Sequence, residues 1–191
     1  MITKWGIKFA PCITKIKRVK FEDLLFSAVA RMKCYNCGGF KRKKPCPPFN
    51  GSVEDSMNRI KKYKKIYMIV AVTDGTVPWR HGIEDFKPKK RVNRELKGIA
   101  KGMPLYLHKT LLELKKKYKQ SMILISGSCS LCRQCPIDGP CLKGGYAHSP
   151  EGSGIDVMNT LRRLGITIME DIPYNRIVNV GFFMYGRKTV G

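Results

Sequence analysis

Cys129-x2-Cys132-x2-Cys135-x5-Cys141 strings three thiols at successive two-residue gaps and adds a fourth a short way along the chain. Thiolates so closely spaced wrap a tight loop around one object, as in the ferredoxin run C-x2-C-x2-C. A four-cysteine zinc site at Zn–S distances of about 2.3 Å draws its sulfurs close together, which proteins usually achieve with two separated cysteine pairs. A cubane offers wider corners, so three neighbouring thiolates reach three irons and Cys141 closes the fourth. The spacing therefore points to a [4Fe-4S] cluster, with zinc as the alternative metal. The glycines Gly127, Gly139, Gly144 and Gly145 leave backbone N–H groups free to bond cluster sulfurs and tune the potential.

A second constellation, Cys34-x2-Cys37-x8-Cys46 followed by Pro47 and Pro48, offers three further thiols. Cys12 is the candidate fourth ligand, giving a second cluster or a zinc site. If Cys12 is an ordinary buried thiol, one corner stays open to a substrate or to a ligand such as His148. The chain holds eight cysteines. The first ten residues have no apolar core ending in small residues, and no apolar run approaches the roughly 20 residues that span a bilayer. We therefore expect a cytoplasmic protein with no membrane contact, whose thiols stay reduced and serve as ligands rather than disulfides.

Several classes are excluded. The spacing is not the C-x3-C-x2-C of radical enzymes that cleave S-adenosylmethionine, and 191 residues are too few for their barrel. No Gly-rich phosphate loop and no Ser-His-Asp arrangement is legible.

The formal charge is +23, from 37 Lys and Arg against 14 Asp and Glu. Such a field attracts acidic surfaces and phosphates. It suggests a redox partner or other acidic protein, or RNA, with Lys41, Arg42, Lys43 and Lys44 as candidate nucleic-acid contacts. Lys115, Lys116, Lys117 and Lys119 read instead as the cationic end of a helix, complementing its dipole.

The elements that position the cysteines follow from periodicity. Phe21, Leu24, Leu25, Ala28 and Val29 predict an amphipathic helix to Met32 that delivers the chain to Cys34. Ser52 with Asp55 predicts a capped helix running to about Lys65. Ile66 to Val72 reads as a strand buried on both faces, followed by a surface excursion from Thr73 to Lys90 that carries Trp79 and Phe86. Val92 to Tyr118 reads as two helices or one kinked at Pro104. Met122 to Ser126 is a strand opening into the second cysteine loop. Ile155 to Leu164 is a helix closed by Gly165. Ile166 to Met169 and Ile177 to Met184 are strands around a turn at Pro173 to Asn175. The expected fold is α/β: one domain over residues 1–191, a small mixed sheet with flanking helices, and cysteine loops at about 34–50 and 127–154.

From about Arg31 to Tyr185 the chain resembles the prokaryotic family of predicted metal-binding proteins, a domain of unknown function. Three blocks carry the resemblance: Arg31-x2-Cys34-x2-Cys37 with Cys46-Pro47-Pro48; Ser126-Gly127-x-Cys129-x-Leu131-Cys132-x2-Cys135 with Cys141; and Glu151-x2-Gly154-Ile155-Asp156-Val157. The chain departs from it after the fourth cysteine, where Leu142-Lys143-Gly144-Gly145 replaces a basic residue and proline. The resemblance implies metal binding, by an iron-sulfur cluster, without implying a reaction. It also places Glu151 and Asp156 near the second loop, although Asp156 suits a helix cap. Three functions follow: an iron-sulfur protein in electron transfer or cluster handling; a metal-stapled basic protein bound to RNA or a ribonucleoprotein; and an enzyme using an open iron site.

Overall fold

The structure is a computed structural model that describes residues 11–73, 90–127, 129, 131–143, 145–166 and 178–187. Among the described residues four strands form one sheet in the order β1-β2-β4-β3: β1 Pro11–Val19, β2 Tyr63–Thr73, β3 Met122–Ile125 and β4 Val178–Arg187. Helices α1 Ala28–Met32 and α2 Val53–Lys61 lie between β1 and β2. Helix α3 Lys90–Lys117 joins β2 to β3, and α4 Val157–Arg163 lies between β3 and β4. Among the described residues no helix is long and apolar enough to cross a membrane.

The α/β class is as expected, but all three strand pairings are antiparallel. The strand–helix–strand order does set β2 and β3 parallel to one another, because each pairs antiparallel with β4. β4 slots between them, so the parallel relation carries no ladder. The one parallel pairing among the described residues is the bridge of Leu124 with His148. There Ile125 N–H donates to the His148 carbonyl at 2.9 Å and His148 N–H to the Ile123 carbonyl at 3.1 Å.

Alternating side chains of the sheet feed two cores. Ile66, Met68, Val70, Val72, Met122, Leu124, Val180, Phe182 and Met184 pack with Ile60 of α2 and Val157 and Leu161 of α4. Ile69, Ala71, Ile123, Ile125 and Phe183 face Met103, Leu107 and Leu111 of α3. The sheet is thus covered on both sides, which explains the continuous apolar run in β2 and the four consecutive buried residues of β3. At the crossing of α3 with β4, a Cβ on Gly181 would stand 2.9 Å from Leu107 Cδ2 and 3.0 Å from the Leu124 carbonyl oxygen. Only hydrogen fits there.

The segment before the first cysteine differs from expectation. In place of a helix from Phe21 to Met32 there is a single turn at Phe21–Asp23, an extended stretch, and the short α1. The reason is tertiary. Ser27 N–H donates to the Gly154 carbonyl and Asp156 N–H to the Leu25 carbonyl, each at 2.7 Å, and Phe26 bridges Ile155. These bonds hold residues 25–27 extended against the turn that precedes α4. Val29, expected on the buried face, is 67% exposed.

Ser52 and Asp55 form the expected capping box, with Asp55 N–H donating to Ser52 Oγ at 2.9 Å and Ser52 N–H to Asp55 Oδ2 at 2.8 Å. α2 ends at Lys61, short of Lys65, because Tyr63 and Lys65 already pair with Arg187 and Tyr185 in the sheet. α3 runs as one helix through Pro104. Asp156 caps α4, accepting from Asn159 N–H at 3.1 Å. β1 had no counterpart in the sequence reading, since its pattern is interrupted by lysines at the sheet edge. The expected excursion through Trp79 and Phe86, and the strand and turn placed between 167 and 177, lie outside the described residues.

Candidate metal centre

The first cysteine loop folds on itself through short-range backbone bonds. Cys37 N–H donates to the Cys34 carbonyl and Phe40 N–H to the Cys37 carbonyl, both at 3.0 Å. Cys46 N–H reaches the Lys43 carbonyl at 2.9 Å, and Lys41 N–H reaches the Pro47 carbonyl at 3.0 Å. The last bond draws the far end of the loop back onto its middle. The result is a cavity of about 180 Å³ lined by Cys34, Cys37 and Cys46 together with Lys33, Phe40, Gly127, Ser149 and Glu151.

Electrostatics report the same grouping. Burial pushes the Cys46 thiol up to about 12, helped by the neighbouring Cys37, Cys34 and Cys129 and opposed by Lys43. Burial pushes Cys34 up to about 11, reinforced by the Glu151 carboxylate and by Cys37 against the pull of Arg31. Cys129 is raised by burial first and further by Cys141 and Cys135, while a hydrogen bond from the Leu131 backbone and the charge of Lys43 act the other way. Thiols held protonated at neutral pH are inert as nucleophiles and become ligands only as a cation displaces their protons.

The two constellations, far apart in sequence, meet: Gly127, two residues before Cys129, lines the cavity of the first loop. Lys43 and Lys44 fasten them. Lys43 Nζ donates to the Cys132 carbonyl at 3.0 Å, Lys44 Nζ donates to the Gly139 carbonyl, and Lys44 N–H points at Cys135 Sγ at 3.4 Å. Of the four residues read as nucleic-acid contacts, these two are half-buried and turned into the protein, whereas Lys41 and Arg42 are exposed. Lys41 Nζ sits 5.6 Å from the centre of the Phe40 ring.

The remaining site candidates are placed as follows. Cys12 lies on β1 with its backbone opposite Val72; its side chain is outside the described set. His148 is not among the residues lining the thiol cavity; burial, with lesser help from Arg59 and Lys115, holds its imidazole down at about 4. Glu151 does line the cavity, while Asp156 serves as the cap of α4. Leu142 and Lys143, where the chain departs from the family pattern, are exposed.

Sequence reasoning missed a groove of about 1270 Å³ beside the second loop, lined by Lys109, Lys115 and Lys116 of α3 and Lys119 just beyond it, by Leu105, Tyr106 and Leu112, by Glu113 in its ion pair with Lys116, and by Leu131 and Lys143 of the loop itself. Lys115 is half-buried, and a Cβ on Gly145 would lie 3.5 Å from its Nζ. Burial lowers the Lys115 pKa, partly offset by Cys141. The run of lysines signalled a cationic helix end; that it borders the cysteine loop depends on the tertiary return of the chain.

The donor set is chemically suited to iron-sulfur or zinc, both of which favour thiolates. Among the described residues no three His, Cys, Asp or Glu side chains converge to hold one ion. The thiols line a space rather than a point, and its volume far exceeds the roughly 10–15 Å³ that admits one water.

No curated protein and no solved structure matches the chain. The model of one family, described as "Predicted metal-binding protein", matches residues 17–183. That span contains both cysteine loops, the end of β1, all of β2 and β3, and β4 as far as Phe183, and the chain belongs to this family of predicted metal-binding proteins.

Proposed function

We propose that the chain is an iron-sulfur protein that holds two adjacent [4Fe-4S] clusters, one on Cys129, Cys132, Cys135 and Cys141 and one in the Cys34, Cys37 and Cys46 cavity, and that it passes electrons to or from an acidic protein. The observation that carries the proposal is the junction of the two cysteine loops, where Lys44 N–H points at Cys135 Sγ at 3.4 Å and Gly127, two residues before Cys129, lines the cavity of Cys34, Cys37 and Cys46, because centres held so close can exchange electrons. When bound, such clusters supply one-electron redox chemistry at potentials set by charge, hydrogen bonds to sulfur and exposure.

The residues around the thiols perform the tuning. Lys44 N–H aims at Cys135 Sγ, and Lys43 and Lys44 bring positive charge against the second loop. Both features favour the reduced, more negative state. Burial of Cys46 and Cys129 limits water access.

The lysine groove supports the choice of an acidic partner. Its cationic rim suits carboxylates, and Leu105, Leu112 and Leu131 supply an apolar floor. RNA would call for a series of aromatic platforms and phosphate contacts along a track; with Tyr106 the one aromatic beside three leucines among the described residues of the lining, the groove favours a protein. Docking there would put the partner against the second loop, through Leu131 and Lys143.

Anaerobic spectra of two variants test the proposal. Cys132→Ser should remove one reducible EPR component and Cys37→Ser the other. Loss of the same single component in both variants would mean one shared centre and contradict the two-site arrangement.

A further inference from the structure

Three thiols leave one corner of a cubane without a protein ligand. Glu151 is the one carboxylate among the residues lining the cavity with Cys34, Cys37 and Cys46. Its Oε2 accepts from Ser149 Oγ at 2.7 Å, which orients the group without consuming both oxygens. The turn that carries it is pinned from the first cysteine loop. Arg31 Nη1 and Asn50 Nδ2, which flank that loop on either side, both donate to the Gly152 carbonyl, at 3.0 and 2.9 Å. Gly152 N–H donates to Ser149 Oγ at 3.1 Å, and Gly154 N–H closes the turn on the Glu151 carbonyl at 2.9 Å. Gly154 itself adopts φ +84°, and a Cβ there would approach Val53 Cγ1 to 2.6 Å, so the turn has little freedom to shift.

Cys12 is badly placed for the same role. Its strand, β1, is the edge opposite β3, with β2 and β4 between them. β3 leads directly to Gly127, which lines the cavity. Three interstrand spacings separate the two edges by about 14 Å.

We infer that Glu151, and not Cys12, is the fourth ligand of the first site, so that three thiolates and one carboxylate hold its cluster. The assignment rests on the cluster reading above and adds a chemical distinction between the two centres. A carboxylate is a harder, weaker donor to cluster iron than a thiolate, so the iron it binds is the labile one, whereas the four-thiolate site is closed.

The test is iron and acid-labile sulfide determination on anaerobically purified wild type, Cys12→Ser, Glu151→Gln and Glu151→Cys, with EPR after mild oxidation by ferricyanide. Cys12→Ser should match wild type. Glu151→Gln should keep its sulfide, lose about one iron per chain and show the signal of a three-iron cluster. Glu151→Cys should retain the full complement and suppress that signal. Loss of iron from Cys12→Ser, or an unchanged iron count in Glu151→Gln, would overturn the assignment. If Glu151→Gln does not fold, Glu151→Cys decides: a full complement supports the assignment and a depleted one overturns it. Sulfide present in wild type with Glu151→Gln unaffected removes only the ligand assignment, whereas wild type without sulfide removes the cluster reading and the assignment together.

Discussion

The backbone N–H of Lys44 points at the sulfur of Cys135 across 3.4 Å, joining the first cysteine loop to the second at one of the proposed ligands. The side chains of Lys43 and Lys44 reinforce that junction at the Cys132 and Gly139 carbonyls. Ligand loops held from outside are preorganised, and loss of the groups that hold them typically costs about 10–100-fold in metal affinity. The double variant Lys43→Ala, Lys44→Ala should therefore lose metal to a chelator about tenfold faster or more, with its secondary structure intact by circular dichroism. An unchanged release rate would show that the lysines merely fill space.

The groove predicts how a partner binds. Lys109, Lys119 and Lys143 line it and are exposed. Reversing all three to glutamate should weaken binding to an acidic electron-transfer protein at least tenfold and flatten its salt dependence, measured by titration at two ionic strengths. RNA bound more tightly than an acidic protein, with the affinity carried by these same lysines, would favour the ribonucleoprotein reading.

Packing at Gly181 predicts a stability effect independent of any metal. Because a Cβ there would press on Leu107 Cδ2 at 2.9 Å and on the Leu124 carbonyl oxygen at 3.0 Å, Gly181→Ala should force α3 away from the sheet. The expected cost is about 1–3 kcal/mol, as for other overpacked cores, read from the urea midpoint. A midpoint equal to wild type would mean that α3 is looser on the sheet than the packing implies.

His108 gives the fold an acid sensitivity. It is fully buried, and among the described residues neither ring nitrogen has a hydrogen-bond partner. Burial, with a smaller contribution from Lys115, holds its pKa down from 6.5 to about 4. The unfolded chain takes up a proton as pH falls through about 6.5, while the folded chain stays neutral until about 4. Stability is therefore full above the first value and falls across the window, by on the order of 3 kcal/mol at its lower end. His108→Leu should reduce the drop in melting temperature between pH 7 and pH 5. It should not abolish it, because His148 is shifted in the same direction. An identical drop in both proteins would mean that His108 is hydrated in the fold.

Local signals were read well where the residues themselves decide the structure. Ser52 and Asp55 form the capping box that starts α2 through bonds three residues apart, with no help from the rest of the fold. What escaped was set by distant partners. Residues 25–27 are extended because Gly154 and Asp156 offer them backbone bonds, which no periodicity in the Phe21–Met32 segment encodes. β4 separates β2 from β3 because of topology, so the sheet came out antiparallel although strands and helices alternate. Lys43 and Lys44 looked like free surface charge, and only the return of the chain at Cys132 and Gly139 gave them internal acceptors. Glu151 could be flagged but not placed, since its neighbours Cys34 and Cys46 lie far back in the sequence.

The most direct test of the account is quantitation of iron, zinc and acid-labile sulfide in anaerobically purified protein, with EPR spectra before and after dithionite. Two clusters predict about eight irons and eight sulfides per chain and a signal that appears on reduction. Zinc without sulfide would contradict the iron-sulfur account and leave the cysteines as structural staples.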